Sequence, residues 1–406
     1  MNVLLDEDEE LIKNAAREVL SAKSPPALAR SMEKDELGYS PELWKMMAQL
    51  GWLGLSLPEC YGGQGLPIHF SGLVGRELGR HVTPSPFHST VVAASLLARY
   101  GSEEVKGRLL PEVIEGRSIA TFALQEQSGR VHPSSIEMTG ELADGHLVLN
   151  GTKSFVDNLA VSDWLLVAFR KKTAQGGPTD SLGVALVETG CAGISSVPLV
   201  TTAKDKQSKV RFDDVRIPTG HLLGGVDGGS HIVRDLLDFA VAMLCAQLAG
   251  ATRKDMEIGV EYSKQRIAFG RPIGGFQAIQ HLAADMLIAT DAVDMLTFEA
   301  LWRLGAGLPA SMEVSQAKSF ASEHCIAVAR GSQQIYGGMG FMLECDLQLW
   351  YRRIVAWCLR LGSSHEHRER ISSALLDRKG LIRLGDTVEL DQEIPAMNYT
   401  REGQSR

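Results

Sequence analysis

Apolar residues recur at helical spacing along the first part of the chain, with Leu4, Leu5, Leu11, Ile12, Ala15, Ala16 and Val19 forming the first stripe. Ser40-Pro41-Glu42 has the form of a helix start, a capping serine followed by proline in the first turn. The pattern breaks over 51–67, GWLGLSLPECYGGQGLP, where five glycines and two prolines predict a looped crossing. Helical spacing then resumes as far as Glu115-Gly116. From about Ser118 to Gly228 the period changes to that of strands. Leu147 and Leu149, Leu165 and Val167, Val184, Leu186 and Val187 supply strand material, and Val210, Phe212, Val215 and Ile217 alternate with charges up to Pro218. Asp144-Gly145 and Asn150-Gly151 predict tight turns, and Lys171–Asp180 a solvated hairpin loop. Helical patterning returns in long runs, Ile232–Tyr262, Phe276–Leu304, Ser311–Tyr336 and from Asp346 onward, broken once by Gly270-Arg271-Pro272-Ile273-Gly274-Gly275. The first two runs are apolar on most faces, as expected of helices buried in a bundle or an oligomer interface.

The predicted organisation is therefore α+β: an N-terminal helical domain over 1–119, a middle β domain over 120–228, a C-terminal helical bundle over 229–385 and a polar tail over 386–406. Composition narrows the chemistry. The 406 residues are 44% hydrophobic and 22% charged, which excludes a disordered or fibrous chain. With 41 basic against 49 acidic side chains the net charge is −8, which argues against nucleic acid as the main partner and leaves room for a local basic pocket. Six cysteines, at 60, 191, 245, 325, 345 and 358, are scattered without a CxxC pair, so neither a disulfide framework nor a zinc site is expected. His365 and His367, two apart, do not share a helix face, and no metal is expected. The N-terminus opens on an acidic run, Asp6 to Glu10, where a secretory signal would carry positive charge. A cytoplasmic location is the expectation. Phe239–Ala251, the most apolar stretch, is too short to span a bilayer, which takes about 20 residues, and reads as a buried helix.

Five segments carry a resemblance: GWLGLSLPECYGGQGLP at 51–67, LNGTKSFVDN at 149–158, VRFDDVRIP at 210–218, YSKQRIAFGRPIGGFQAIQHLAADM at 262–286 and QQIYGGMGF at 333–341. In this order, over about residues 5–375, the chain resembles the acyl-CoA dehydrogenase family of flavoproteins. The resemblance implies that family's fold, with an N-terminal helical domain, a middle β-barrel domain and a C-terminal four-helix bundle. It also implies FAD, bound between subunits of a tetramer or dimer of dimers. The implied substrate is an acyl-CoA, dehydrogenated to the 2-enoyl-CoA, with an electron-transferring flavoprotein as electron acceptor. No membrane span is implied.

Residues matching the family's cofactor motifs are Arg266, Phe269, Gln277, Gln334, Gly337 and Gly338. By this resemblance Arg266 presents its planar donor fork to the FAD pyrophosphate. Phe269 covers the flavin or its ribityl side, and Gln277 hydrogen-bonds the cofactor. Gln334, Gly337 and Gly338 match the family's Gln-x-x-Gly-Gly, where glycine lets backbone approach the adenosine diphosphate end. Spacing alone leaves two other readings open: Arg266 paired with Glu261, and Gly337-Gly338 ending a helix.

The chain also departs from the family. Where the family has Thr-Glu-Pro-Gly-Ala-Gly-Ser-Asp facing the flavin's pyrimidine edge, residues 124–130 read LQEQSGR, with Gln125 in the threonine place. The family's Trp-x-Thr/Ser beside the flavin is Phe155-Val156-Asp157. An aspartate beside a ring that becomes anionic on reduction is repelled unless protonated or turned away. Abstracting an α proton needs a carboxylate in a desolvated pocket, yet the two positions at which family members carry that glutamate hold Leu361 and Ala240, the latter followed by Val241 where an arginine is usual. The catalytic base is thus unassigned. Two other carboxylates are candidates for it: Asp238, which points away from Ala240 and is expected instead in a helix-cap or ion-pair role with Arg234 one turn earlier, and Glu366, which could fold back towards the loop but is expected instead in a charged helix start. Two readings follow: an active dehydrogenase with an unrecognised base, or the non-catalytic, FAD-interface subunit of a heteromer with a second acyl-CoA dehydrogenase chain. A third, a reduced-flavin monooxygenase of the same fold, is disfavoured by the FDDVRIP and RIAFGRPIGGFQ segments.

Overall fold

The acidic opening run is a helix start. The Asp6 carboxylate accepts from the Glu9 amide and the Glu9 carboxylate accepts from the Asp6 amide, both at 2.8 Å, a reciprocal cap that satisfies two otherwise unpaired donors. It opens α1 (Glu7–Lys23), followed by α2 (Pro26–Met32), α3 (Pro41–Gln49), α4 (Ile68–Arg80), α5 (Phe87–Tyr100) and α6 (Glu103–Ile114). Ser40 caps α3 by accepting from the Leu43 amide at 3.2 Å, with Pro41 in the first turn. The glycine-rich crossing is two short 3-10 turns, Trp52–Gly54 and Glu59–Tyr61. Gly63 is needed there because a Cβ would lie 2.1 Å from the Leu57 carbonyl oxygen. The computed structural model describes residues 4–172, 178–226 and 228–376. The expected polar tail, 386–406, lies outside the described residues, as does the tip of the hairpin expected over Lys171–Asp180.

The middle segment is a curled seven-stranded sheet of β1 (Ala120–Ala123), β2 (Thr139–Ala143), β3 (His146–Asp157), β4 (Trp164–Lys172), β5 (Pro178–Glu188), β6 (Ile194–Leu199) and β7 (Gln207–Pro218), in the order β1-β4-β2-β3-β7-β6 with β5 also on β4. Asp144-Gly145, both at positive φ, makes the tight β2–β3 turn. Asn150-Gly151 does not make a turn. It lies inside β3, at a register shift where β7 carries one extra residue. Asp214 of β7 stands there at φ +51, and the Asn150 amide closes the bulge by donating to its carboxylate at 2.8 Å and accepting from its backbone at 2.9 Å. The dipeptide carries turn chemistry, but the bulge uses it.

The C-terminal part comprises α7 (Ser230–Gln265), the small hairpin β8–β9 (Ile267–Ala268 and Arg271–Pro272), α8 (Gln277–Gly305), α9 (Ser311–Tyr336), α10 (Leu347–Leu359) and α11 (Ser364–Leu376). Helix α7 is the spine, packed against α4, α5, α8, α9 and α10, and its Phe239–Ala251 stretch lies in the main core. Helix α8 leaves Leu287, Ile288 and Met295 exposed on the isolated chain. Among the described residues no helix is long and apolar enough to cross a membrane, and no group of His, Cys, Asp and Glu could hold a metal.

Helices α4 and α7 cross at backbone contact. A Cβ on Gly250 would fall 1.7 Å from the Arg76 carbonyl oxygen, and one on Gly79 2.0 Å from that of Gln247. Gly250→Ala should therefore cost about 2 kcal/mol or more by forcing the spine off α4. Gly107→Ala, on α6 with open space around it, should be neutral or stabilising by about 0.5–1 kcal/mol. Thermal unfolding of the two variants side by side checks the pair.

Candidate active site

The six residues that match cofactor motifs lie where α7 and α9 end and α8 begins. Arg266 caps the C-terminus of α7, its amide donating to the Tyr262 carbonyl at 2.8 Å. Its side chain is exposed and makes no ion pair among the described residues; Glu261, the alternative partner, instead accepts from Gln265 at 2.8 Å and Lys264 at 3.5 Å. Phe269, at φ +53 in the β8–β9 turn, is 94% exposed, a large apolar ring with almost nothing of this chain on it. Gln277 opens α8 and Gln334 lies in the last turn of α9, both exposed. Gly337, at φ +61, ends α9, and neither it nor Gly338 has an atom within 4 Å of a Cβ position. Stacking of Tyr262 on Tyr336, with centroids 4.0 Å apart, ties the end of α7 to the end of α9. All six thus share one end of the bundle, facing outward with free donors and bare backbone. The donor set fits the diphosphate half of FAD.

The other half of the expected site is different in kind. Leu361 is buried at φ +54 in the turn between α10 and α11, and Ala240 is fully buried on α7. The backbone around both is firmly held. His367 Nε2 donates to the Leu361 carbonyl at 2.9 Å, and His88 Nε2 to the Ala240 carbonyl at 2.9 Å. Lys318 Nζ, wholly buried, caps α10 through the carbonyls of Trp357 (2.7 Å) and Cys358 (3.0 Å). Between them Arg360 ion-pairs with Asp157 at the end of β3 and with Asp205, 3.2 Å away, in the turn before β7. Burial pushes the Asp157 carboxyl up to about 6, with Asp205 adding to the rise and Arg360 opposing it. Burial also acts to raise Asp205, but Arg360 and Arg353 outweigh it and hold it below the usual carboxylate range.

Asp157 is therefore turned onto an arginine. The cavity left beside the pair is about 50 Å³, room for a few waters. Phe155 stands at φ +57 and half exposed, and Gln125 is buried with its amide donating to the Gly129 carbonyl at 2.8 Å. Glu126 faces inward, accepting from Lys153 at 2.8 Å and from the amides of Glu137 and Met138. The residues at this end do not fit the flavin ring of FAD.

Among the described residues, the two carboxylates weighed in the sequence, Asp238 and Glu366, are engaged within this chain. The cation that closes on Asp238 is Arg370 of α11, at 3.3 Å, where the sequence pointed to Arg234; Ser311 donates to it as well. Helices α7, α9 and α11 converge there, so a tertiary partner displaces the local one. Glu366 lies in the first turn of α11, accepting from the Ser363 amide at 2.9 Å and hydroxyl at 3.0 Å. Arg360, Asp205 and Arg353 were not singled out in the sequence. The signal for Arg360 was its place immediately before Leu361, beside a base position already in question.

Three family models match in chain order: the acyl-CoA dehydrogenase N-terminal domain over 6–117, the middle domain over 121–215 and the C-terminal domain over 227–376. The chain is similar to acryloyl-CoA reductase (NADH) of Anaerotignum propionicum, 28% identical over 385 residues that cover 93% of this chain and 97% of the relative. It is similar to an acyl-CoA dehydrogenase of Bacillus subtilis (strain 168), 29% identical over 391 residues, 91% and 98% of the two chains. A solved variant of the Tcur3481–Tcur3483 steroid acyl-CoA dehydrogenase superposes with a TM-score of 0.82 at 28% identity, covering 90% of this chain and 97% of its own.

His367 makes the rigidity of the Leu361 turn measurable. Burial, with Arg370 adding to it, lowers the ring to about 3 from an ordinary value of 6.5. The folded state keeps it neutral while the unfolded chain takes up a proton, so its contribution is present above pH 6.5 and is lost as pH falls towards 3. Between pH 7 and pH 5 the parent should lose about 2 kcal/mol more stability than His367→Gln. Denaturant titrations of both proteins at the two pH values test this, and equal slopes would show that the histidine is not held neutral.

Proposed function

The chain belongs to the acyl-CoA dehydrogenase family, an FAD-dependent class of enzymes, and from that premise we propose that it is the flavin-interface subunit of a heteromeric acyl-CoA dehydrogenase. The observation that supports this reading is the Arg360–Asp157–Asp205 cluster between sheet and bundle, together with Leu361 and Ala240 at the two positions where the family resemblance calls for a glutamate. Leucine and alanine cannot accept a proton, and a buried ion pair is costly to open. Half of the cofactor's binding surface is nevertheless intact and faces outward.

FAD, when bound, accepts hydride from the β carbon of the acyl thioester. In this reading the ring and the glutamate that takes the α proton belong to the partner chain. This chain supplies the other side of the subunit boundary. Arg266 pairs with the pyrophosphate in fork geometry, and Gln277 and Gln334 add amide donors and acceptors. The Gly337-Gly338 backbone leaves room for close approach, and Phe269 covers apolar ring or ribityl surface across the interface. The exposed Leu287, Ile288 and Met295 of α8 offer further apolar surface to a neighbouring subunit. The Tcur3481–Tcur3483 enzyme, whose name joins two gene products, is the relative that guides this choice. An acyl-CoA is the substrate and an electron-transferring flavoprotein the electron acceptor. Six free cysteines suit a reducing compartment such as the cytoplasm.

The chain purified alone should dehydrogenate acyl-CoA thioesters at least roughly a hundredfold more slowly than the same chain assembled with a glutamate-bearing acyl-CoA dehydrogenase, since a positioned general base is worth about that much or more. Turnover is read with an artificial electron acceptor. Comparable turnover by the chain alone would make it a self-sufficient enzyme and overturn the reading. In the assembled complex, Arg266→Ala should weaken FAD retention about tenfold through loss of a charge-assisted contact.

A further inference from the structure

Arg352 and Arg353 are neighbours on α10 with opposite fates. Arg352 is fully engaged: its guanidinium donates to Glu33 at 2.7 Å, Gln348 Oε1 at 2.5 Å and the Thr202 carbonyl at 3.1 Å. Arg353 is more buried, only 7% exposed, yet its one hydrogen bond runs from Nε to the Ala203 carbonyl at 3.0 Å. Among the described residues nothing accepts from its two terminal nitrogens, and no carboxylate stands within ion-pair distance. The nearest acidic groups are committed elsewhere, Asp205 to Arg360 and Glu33 to Arg352. A guanidinium has five N–H donors; Asp205 and Glu33 offset its charge only at longer range, which leaves the terminal nitrogens of Arg353 open to a ligand.

What surrounds Arg353 says what it is. The arginine lines the cavity of about 50 Å³ beside the Asp157–Arg360 pair, with Lys204, Lys206 and Asn158 also on its wall. Four basic residues, Lys204, Lys206, Arg353 and Arg360, line the cavity against two acidic ones, Asp157 and Asp205, with Lys206 Nζ donating to the Glu33 carbonyl at 3.4 Å. Two turns fix the lysines. Lys204 sits at φ +59, its amide donating to the Thr201 carbonyl at 3.2 Å, and the Lys206 stem lies over Gly38, whose missing Cβ would be 2.3 Å from it. The Lys206 carbonyl accepts from the Asn158 amide at 2.8 Å. His88 also lines the cavity, with Nε2 spent on the Ala240 carbonyl.

We propose that this pocket binds one small oxyanion, a phosphate or carboxylate group, seated on the free guanidinium fork of Arg353 and flanked by Lys204. The fork matches two oxygens of either group, and the volume admits an anion of that size and little more. The site differs from the outward-facing Arg266 surface, and it rests on the reading that no flavin ring enters the Asp157–Arg360 cleft of this chain.

Calorimetric titration of the full chain with inorganic phosphate, and separately with acetate, at constant ionic strength in chloride tests the proposal. The expected result is saturable binding of one anion per chain, weakened at least about tenfold in Arg353→Gln and about threefold in Lys204→Gln. Preference for phosphate or acetate distinguishes a phosphate ligand from a carboxylate one, either supporting the site. Should Arg353→Gln fail to fold, Lys204→Gln, on an exposed turn, still decides. No saturable binding of either anion, or affinity unchanged in the variants, would overturn the proposal.

Discussion

The ion cluster of Arg360 with Asp157 and Asp205 is the contact on which the reading of this molecule turns. It joins the end of β3 and the turn before β7 to the turn between α10 and α11. The helical bundle and the sheet are thereby clamped across the cleft that separates them. Removing one member of such a pair leaves an uncompensated buried charge and costs about 3–5 kcal/mol. A cleft closed in this way is not one that opens for a planar cofactor at small expense. The same cluster explains how Asp157 is tolerated: its carboxylate answers an arginine of its own chain.

Around that clamp the backbone at Leu361 and Ala240 is tightly held. Leu361 holds a left-handed conformation that a leucine adopts only under constraint, and the constraints are visible in His367 on its carbonyl and Lys318 at the end of α10. The spine α7 keeps its glycine crossing with α4 and carries Ala240 in full burial. By contrast the far end of the same helix, with the β8–β9 hairpin, presents Arg266 and Phe269 to the outside, Phe269 with only an edge contact to Phe276. Closure at one end of the bundle and openness at the other are what the proposed subunit reading rests on.

Much of this was legible in the order of residues, where local chemistry decides. The Ser40 cap, the 51–67 crossing, the alternation in β7 and the run of the long helices depend on spacing and on glycine, and spacing is what a sequence displays. What the sequence does not display is distant partners. Asn150-Gly151 has the chemistry of a turn, but the bulge it serves is made by Asp214, sixty-four residues away. Arg234 is the local partner that Asp238's spacing offers, but Arg370 arrives from another helix. The acidic Asp6–Glu10 run holds a reciprocal helix cap. Leucine at 361 and alanine at 240 stand in the sequence itself, but the Arg360 clamp and the Arg353 pocket exist only when three distant segments are brought together.

The most direct test of the account is the number of flavins per chain, measured by absorbance and protein quantitation for this chain alone and in its complex with a glutamate-bearing partner. The account predicts no bound FAD on the chain alone and one FAD per pair of chains in the complex, because the clamp closes one of the two clefts. One FAD per chain when the protein is purified alone would contradict it, since a flavin ring would then occupy the cleft that Arg360 and Asp157 fill.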